Sequence, residues 1–466
     1  MEAAAQRPTL AQAIGSWLFV PLSAKTKAAI RNGLAFMLAF IIPLAMNWST
    51  QAATAAITVA VIASTSVDSS NAFYKGILRT LGTLLGAVIG MALIALFPQE
   101  RALYLLTLSV TVSLFLYLAR VYKGDNTLFF LAIFAMLMVF KNGEVDSVFL
   151  YGVERTAMTL FGVVVYTLVW VFLWPEKRGA KSPEERVRAL MRFDWGDPEH
   201  IKGVAAGFLV FWSATAFWIF FNPPLGFMIV ALATALSALT LFSPVTPGML
   251  LIAFTIGFVF ATLSYIFVLP HLHYGWQLAL FLFLYAFSAH RLLPPPVAMN
   301  VLIATGTFHL QSTAFFHFGL FLNILLVLYG YLFILLFFYY IPFSSRPEAL
   351  FLAAKERFDA ITARLAEGKP PRTPLQRLRR RYDCARVVPT AAAMKLWASR
   401  LDAGYYGLDK EALARWIEAC EAAADALRRA RCGEKTAEPT QAPEALRRCQ
   451  DLEAEAGFEG LRRGKF

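Results

Sequence analysis

Residues 79–86 read R-T-L-G-T-L-L-G, and residues 155–162 read R-T-A-M-T-L-F-G. Both fit the pattern R-T-x-x-T-x-x-G, and each opens the third apolar segment in a set of three, over residues 25–97 and 101–174. An odd number of membrane crossings inverts the second set relative to the first. The recurrence therefore predicts an inverted repeat, an arrangement that in membrane transporters places the binding site between the repeats.

The composition around these motifs is that of a membrane protein. Hydrophobic residues make up 58% of the 466 residues and charged residues only 16%, against about 25% charged in a typical soluble domain. The charges are concentrated in residues 344–466, which hold 24 of the 43 Lys and Arg residues. The chain thus divides into a nearly uncharged membrane body and a tail of soluble composition.

Twelve apolar segments approach the roughly 20 residues that a membrane-spanning helix needs. They lie near residues 29–47, 50–66, 79–97, 102–120, 127–142, 153–174, 201–221, 224–242, 247–269, 274–290, 295–311 and 317–342. We therefore predict an all-α polytopic membrane protein of about 12 transmembrane helices, arranged as two blocks of six. Three-helix inverted repeats and a C-terminal cytoplasmic helical bundle complete the predicted fold.

The domain boundaries follow from these segments. We predict an N-terminal part with a helix on the membrane surface, a first block, a short cytoplasmic linker, a second block and the tail, over residues 1–24, 25–178, 179–200, 201–343 and 344–466. Apolar positions at helical spacing predict that the tail is helical. Its basic run R-L-R-R-R at residues 377–381 fits either contact with lipid headgroups or a solvated helix face.

Lys and Arg residues are distributed unequally among the connecting loops. With the N-terminus in the cytoplasm, nine Lys and Arg residues of the first block fall inside and three outside, as the positive-inside rule requires. Both termini are therefore predicted to be cytoplasmic, in the inner membrane of a bacterium. The net charge of +12 indicates membrane lipids as partners rather than nucleic acid.

Several functional classes lack their sequence signatures. The sequence has no phosphate-binding loop and no H-E-x-x-H or G-x-S-x-G motif, so we predict neither enzyme activity nor a cofactor. His271 and His273 are two residues apart without a third ligand, and the four cysteines form no C-x-x-C pair. Neither arrangement indicates a metal site, and the cysteine spacing also predicts no disulfide framework.

The two arginines of the repeat are candidate cations for an anionic substrate. Arg79 and Arg155 begin apolar segments, and Thr83 and Thr159 lie one helical turn further on. Two other roles remain open: Arg79 could anchor its helix at the headgroups, and Arg155 could form an ion pair with Glu154.

Small residues follow the same two arginines. Gly82, Gly86 and Gly90 fall on one side of a helix, and Gly162 aligns with Gly86 in the repeat. Small residues at this spacing favour close helix packing, and a substrate path lined by the same face is the alternative.

Polar residues inside other apolar segments give the remaining candidates. Asn300 and Gln311 are candidates for substrate binding, although interhelical hydrogen bonds would explain them as well. Candidates for carrying a coupling proton are His309, Asp68 and Glu154, since imidazole and carboxylate groups can change their protonation state.

Four stretches resemble a known family. They are K-A-A-I-R-N-G-L-A at 27–35, R-T-L-G-T-L-L-G-A-V-I-G at 79–90, V-E-R-T-A-M-T-L-F-G at 153–162 and W-P-E-K-R at 174–178. Together they are similar to the aromatic acid exporter superfamily, also called the fusaric acid resistance family. The residues that match its pattern are Arg79, Gly82, Thr83, Gly86, Arg155, Thr156 and Gly162.

The resemblance implies proton-driven export of aromatic carboxylic acids or related organic anions across the inner membrane. It also implies a periplasmic adaptor subunit in some members, and a homodimer. Longer members carry a large cytoplasmic domain between their membrane blocks, where this chain has only residues 175–200. Two other functions stay open: an anion channel of the same superfamily, and a membrane scaffold that acts through its tail.

Overall fold

In the computed structural model, every regular element of the described residues is a helix. The structure describes residues 23–48, 52–65, 69–122, 124–139, 145–174, 197–223, 226–241, 246–308, 310, 318–341, 346–367, 373–406, 408–431 and 441–456. The predicted surface helix within residues 1–24 and most of the 179–200 linker lie outside these residues.

In the described residues, twelve helices lie within the predicted membrane body. They are α1 Ala24–Ala45, α2 Ala52–Thr65, α3 Ser69–Leu96, α4 Arg101–Val121, α5 Thr127–Met138, α6 Val145–Phe172, α7 Pro198–Phe221, α8 Met228–Thr240, α9 Pro247–Leu263, α10 Gly275–Leu292, α11 Pro295–Ile303 and α12 Phe318–Tyr340. A π-helical turn, Ser264–Val268, and a 3-10 turn, Leu269–His271, continue α9. The tail contains α13 Pro347–Ala366, α14 Pro374–Ala398, α15 Ala403–Tyr406, α16 Lys410–Arg431 and α17 Gln441–Ala456.

The predicted count of twelve membrane-spanning helices is not confirmed. In the described residues, seven helices are long and apolar enough to cross a membrane, over Ala24–Ala45, Tyr74–Leu96, Arg101–Val121, Phe149–Phe172, Pro198–Phe221, Pro247–His271 and Phe318–Tyr340. Three further apolar helices, Ala53–Ser64, Thr127–Met138 and Met228–Ala238, are shorter. Hydropathy locates the apolar segments correctly but does not give the length of helix within each.

The segment predicted at 295–311 shows why a span prediction fails. Helix α11 covers only Pro295–Ile303 and continues as a 3-10 helix over Ala304–Phe308. The hydroxyls of Thr305 and Thr307 donate to the carbonyls of Leu302 and Ala304, three residues back, and each hydrogen bond is 2.7 Å long. Threonine and glycine are weak helix formers, so the T-G-T sequence at 305–307 favours this tighter turn.

Contacts divide the chain into two compact units. The first comprises residues 1–104, 127–187 and 251–327. Its core joins helices α1, α2, α6, α10 and α11, and its buried members include Phe36, Val59, Tyr166, Leu282 and Val301. Because this core draws on both predicted membrane blocks, order along the chain does not reproduce the spatial grouping.

The second unit comprises residues 105–126, 188–250 and 328–466. Arg120, near the end of α4, lies against Gly203 of α7 and donates to the Leu241 carbonyl over 2.7 Å. A side chain at position 203 would occupy the space of the Arg120 guanidinium. Gly203 therefore allows an arginine to satisfy the carbonyl next to the C-terminus of α8.

The tail belongs to this second unit and has a core of its own. Helices α13, α14, α16 and α17 bury Phe351, Val387, Met394, Trp416 and Leu427 together. Trp416 is fully buried and meets Phe351 edge-on, with ring centroids 6.2 Å apart. The tail helices thus pack on one another as a soluble domain does.

The cysteines of the tail depart in part from expectation. Cys384 is disulfide-bonded, a bond that the cysteine spacing did not predict. Cys420 and Cys449 are free, buried thiols whose sulfur atoms lie 2.7 Å apart. Spacing along the sequence cannot reveal such contacts, because helix packing brings together cysteines that are distant in the chain.

Lys355 is a buried cation of the tail core. Its side chain is 4% exposed, and its ammonium lies 2.8 Å from the Asp359 carboxylate and 2.6 Å from that of Glu453. Burial lowers the pKa of Lys355, but hydrogen bonds to Asp359 and Glu453 outweigh this, so the pKa lies above its usual value. The ion pairs therefore stabilise the fold fully below the usual lysine pKa and are lost only as pH rises through the raised one.

We expect Lys355→Met to destabilise the tail by no more than about 1 kcal/mol, because both carboxylates can reach water once the ammonium is gone. The difference from wild type should stay constant from pH 6 to 9, a range below the lysine pKa of about 10.4. Thermal unfolding of the full chain in detergent, followed by proteolytic release of the tail, measures it. Lys395→Met, which removes an exposed ion pair with Glu421, is the control. A difference that vanishes by pH 9 would contradict the assignment.

Candidate functional site

The glycines of the repeat make reciprocal contacts in the first unit. A Cβ atom on Gly82 would lie 2.5 Å from the Leu128 carbonyl oxygen of α5, and one on Gly86 would overlap the Ala132 carbonyl. A Cβ on Gly162 of α6, which aligns with Gly86, would lie 2.5 Å from the Ala55 carbonyl oxygen of α2. The third helix of each set thus touches the backbone of the second helix of the other set, as an exchange of equivalent partners requires.

Gly90 extends the contact by one more turn. A Cβ at this position would lie 3.0 Å from the Met136 carbonyl oxygen of α5. The stripe Gly82, Gly86 and Gly90 therefore lies on the backbone of α5, and it lines no path for a solute in the described structure.

One face of α6 carries most of the remaining candidates. Arg155, Thr159, Gly162, Tyr166 and Trp170 fall within about 80° of one another on a helix that turns 100° per residue. Arg155 is half-buried, whereas Thr159, Tyr166 and Trp170 are buried. Position 166, aligned with Gly90 in the repeat, holds a tyrosine, so the two repeats differ chemically at this level.

Arg155 lies at the N-terminal part of this face among aromatic groups. Its guanidinium is centred 4.9 Å from the Phe134 ring and donates to the Tyr151 hydroxyl over 3.3 Å. Thr159 donates to the Arg155 carbonyl over 2.8 Å. The structure therefore joins Arg155 with aromatic side chains, while Glu154 beside it in sequence is half-buried.

The matching residues of α3 lie in a more open place. Arg79 is half-buried, Thr83 is buried, and Thr80 donates to the Gly76 carbonyl over 3.1 Å. A groove of about 330 Å³ runs between α3 and α6 and is lined by apolar side chains with Thr80 and Thr167. Its described lining holds no charged side chain, so this groove does not suit an anion.

Arg31 forms a buried cationic site that the sequence did not predict. Arg31 of α1 is only 1% exposed. Its guanidinium is centred 4.5 Å from the Trp170 ring and 5.9 Å from the Trp174 ring, and it donates to the Trp174 carbonyl over 2.6 Å. Trp174 follows the C-terminus of α6, where the helix dipole also stabilises a cation.

Two hydrogen-bond donors beside Arg31 are buried without a partner in the described part of the chain. They are the Tyr166 hydroxyl and the Trp170 Nε1. Tyr166 and Trp170 are 1% and 8% exposed, and their ring centroids lie 5.7 Å apart. Arg31 is close enough to Tyr166 to interact with it electrostatically. Buried donors normally have acceptors, so a guanidinium, a phenol and an indole together form a cluster that suits an anion.

The sequence contained only a weak signal for this cluster. Arg31 lies in K-A-A-I-R-N-G-L-A and seemed to be one of several positive charges at the inner end of a helix. Trp170 and Trp174 seemed to be ordinary interfacial aromatics. The available clue was an arginine seven residues beyond Ala24, where its helix begins, with no acidic residue one turn away.

Of the candidate site residues in the second predicted block, only Asn300 lies within the described residues. Asn300 is buried, donates to the Pro296 carbonyl over 2.7 Å, and has no described partner for its Oδ1 atom. Gly257 of α9 lies against the Asn300 carbonyl, where a Cβ would be 2.7 Å from the oxygen. Gln311, His309 and Asp68 lie outside the described residues. His290, a half-buried histidine near the C-terminus of α10, has a buried Nε2 atom without a described partner.

These features define a polytopic α-helical membrane protein with a buried cationic site among its helices. Residues 26–194 match the model of the fusaric acid resistance protein family. The resemblance drawn from the sequence is thereby confirmed for this region, which includes α2 to α6 and all but the first two residues of α1, and the family indicates a membrane transport role. No curated protein and no solved structure matches the chain.

Proposed function

We propose that the chain is a secondary transporter that exports organic anions, with aromatic carboxylic acids as substrates and the proton gradient as its energy source. The observation that carries this proposal is the cluster of Arg31, Tyr166 and Trp170. The match to the fusaric acid resistance family over residues 26–194 supports the transport role, and the cluster supports the charge and the aromatic character of the cargo.

The chemistry of the cluster suits a carboxylate that carries a ring. The Arg31 guanidinium can bind a carboxylate through two charge-assisted hydrogen bonds, and the Tyr166 hydroxyl and Trp170 Nε1 are donors without a described acceptor. The faces of Trp170 and Tyr166 would contact the ring of the substrate. A low dielectric strengthens each of these interactions relative to water.

Transport in this proposal follows the face of α6. Arg31 contacts Trp170, near the C-terminal end of this helix. Arg155 lies 15 residues before Trp170, or about 22 Å along the axis at 1.5 Å per residue. An anion released from one cation would meet the other after crossing about 22 Å of the roughly 30 Å hydrocarbon core. The coupling proton is assigned to Glu154, Asp68 or His309, and orientation in the inner membrane with both termini cytoplasmic is part of the proposal. An adaptor subunit and a homodimer remain predictions.

The test uses variants of the full chain in a deletion strain exposed to a panel of aromatic and aliphatic carboxylic acids. Arg31→Gln should weaken the apparent affinity for the exported acid by about 10- to 100-fold, the worth of a charge-assisted hydrogen bond. Tyr166→Phe removes one oxygen atom and should weaken it by about 3- to 10-fold. Arg155→Ala should also fail to rescue growth.

Controls separate transport from folding and from channel activity. Arg101→Gln changes an exposed arginine at the start of α4 and should leave export intact. The amount of each variant in the membrane identifies those that merely fail to fold. Flux that persists in vesicles without a proton gradient would favour an anion channel. Full rescue by Arg31→Gln and Tyr166→Phe at normal levels would overturn the proposed site.

A further inference from the structure

The first two turns of α14 carry apolar side chains that the tail core does not use. Leu375 is 76% exposed, Leu378 is 68% exposed and Tyr382 is 42% exposed. Their spacing places them within about 60° of one another on the helix. The second half of the same helix, from Val387 to Trp397, is buried in the tail core. The helix therefore begins with a largely exposed apolar stripe, here called the 375–382 stripe.

Arginines border this stripe on both sides. Residues 374–382 read P-L-Q-R-L-R-R-R-Y and contain four arginines and no acidic residue. On a helical wheel, Arg379 and Arg381 are the arginines nearest to the two edges of the stripe, whereas Arg377 lies about 40° beyond Arg381, further from the stripe. All three are exposed. An apolar stripe between two cations is typical of a helix that lies on an anionic membrane surface.

The same face of α14 is fixed to the start of a candidate membrane span. Arg386 is eleven residues beyond Leu375, three helical turns, and so lies on the side of the stripe. Its guanidinium is 2.9 Å from the carboxylate of Asp197, the N-cap of α7. Helix α7 is long and apolar enough to cross the membrane from Pro198. The stripe thus faces the side of α14 on which the chain enters the bilayer.

The distance along α14 between the stripe and Arg386 is short enough for the stripe to reach the bilayer surface near the start of α7. Leu378 is eight residues from Arg386, or about 12 Å along the helix axis. The headgroup region adds about 5–7 Å on each side of the hydrocarbon core. The stripe therefore begins within three helical turns of the point where α7 starts.

We propose that the 375–382 stripe is a membrane-docking surface that binds anionic phospholipid. Leu375, Leu378 and Tyr382 enter the interfacial region, and Arg379 and Arg381 bind lipid phosphates. This contact holds the tail against the bilayer next to α7, and it does not depend on the proposed transport activity. Each arginine near an anionic surface strengthens binding by about fivefold.

The test is hydrogen exchange of the full chain, reconstituted in phosphatidylcholine alone or in phosphatidylcholine mixed with phosphatidylglycerol. Amides of residues 376–382 should exchange more slowly in the mixed bilayer, while those of residues 387–398 should be equal in both and report that the tail is folded. Arg379→Gln with Arg381→Gln should remove the difference. Arg377→Gln, further from the stripe, should preserve most of the difference, and Leu378→Ser should reduce it.

Three results would overturn the proposal. Equal exchange in the two lipids would mean that the stripe is a solvated helix face. Slow exchange that persists after loss of both flanking arginines would mean that charge does not hold it. Slow exchange in detergent that increases with protein concentration would mean that a second copy of the chain covers the stripe.

Discussion

Gly86→Ala should destabilise the first unit by about 1–3 kcal/mol, the usual cost of overpacking a close contact. Alanine normally stabilises a helix relative to glycine by about 1 kcal/mol, so the expected sign is the reverse of the intrinsic preference. The reason is that the new methyl group would overlap the Ala132 carbonyl of α5. Backbone on both sides leaves no flexible side chain to move away. Gly162→Ala should behave alike, because its methyl group would meet the Ala55 carbonyl.

The matched control for this pair is Gly152→Ala, in the same helix as Gly162. A Cβ there would lie 3.6 Å from the Cβ of Ala87, an ordinary contact, so this variant should be neutral or more stable. The measurement is the thermal unfolding of each purified full chain in one detergent. Unfolding of all three variants at the wild-type temperature would contradict the close contacts of Gly86 with Ala132 and of Gly162 with Ala55.

Loss of the Asp197 carboxylate should weaken the attachment of the tail helices to the start of α7. Asp197 accepts a 3.0 Å hydrogen bond from Arg357 and forms a 2.9 Å ion pair with Arg386, and Glu199 pairs with Arg357 as well. The Arg386 and Asp197 side chains are 6% and 14% exposed. Removing one member of a buried ion pair leaves the other charge uncompensated, at a cost of about 3–5 kcal/mol. Asp197→Ala should therefore release the tail helices α13 and α14 from the start of α7.

Asp197→Asn separates charge from capping, because asparagine still caps a helix N-terminus. We expect it to retain the cap but lose most of the ion-pair contribution. Proteolytic susceptibility of the tail in the full chain measures both variants. Asp425→Asn is the control, since its pair with Arg428 spans 3.9 Å and both side chains are about half exposed. A cycle with Arg386→Ala should show strong coupling to Asp197, and additive effects would contradict the contact.

The sequence was most informative where one physical signal dominated. Apolar runs located the helices of the membrane body, and the R-T-x-x-T-x-x-G recurrence picked out Gly86 and Gly162, which occupy equivalent close contacts. Helix lengths were less predictable, because the T-G-T sequence at 305–307 changes the backbone from α to 3-10 without any change in hydropathy.

The candidate site was harder to foresee than the helices. Arg31, Tyr166 and Trp170 come from two helices more than 130 positions apart in sequence, and only packing brings them together. The α14 stripe shows the same limit: R-L-R-R-R could be read as basic, but the uncovered state of Leu375 and Leu378 depends on where the tail core ends.

The glycine stripe of α3 also affects how the helices can move. Gly82, Gly86 and Gly90 face Leu128, Ala132 and Met136, both series in steps of four. Few side chains interlock along this line, so sliding is resisted less than in a contact between large residues. A shift by one turn, about 5.4 Å, would bring Gly82 to Ala132 and Gly86 to Met136 and re-form two of the three contacts. The spacing of the stripe therefore permits a second register of similar geometry, the type of discrete alternative on which one-turn ratchets between packed helices depend.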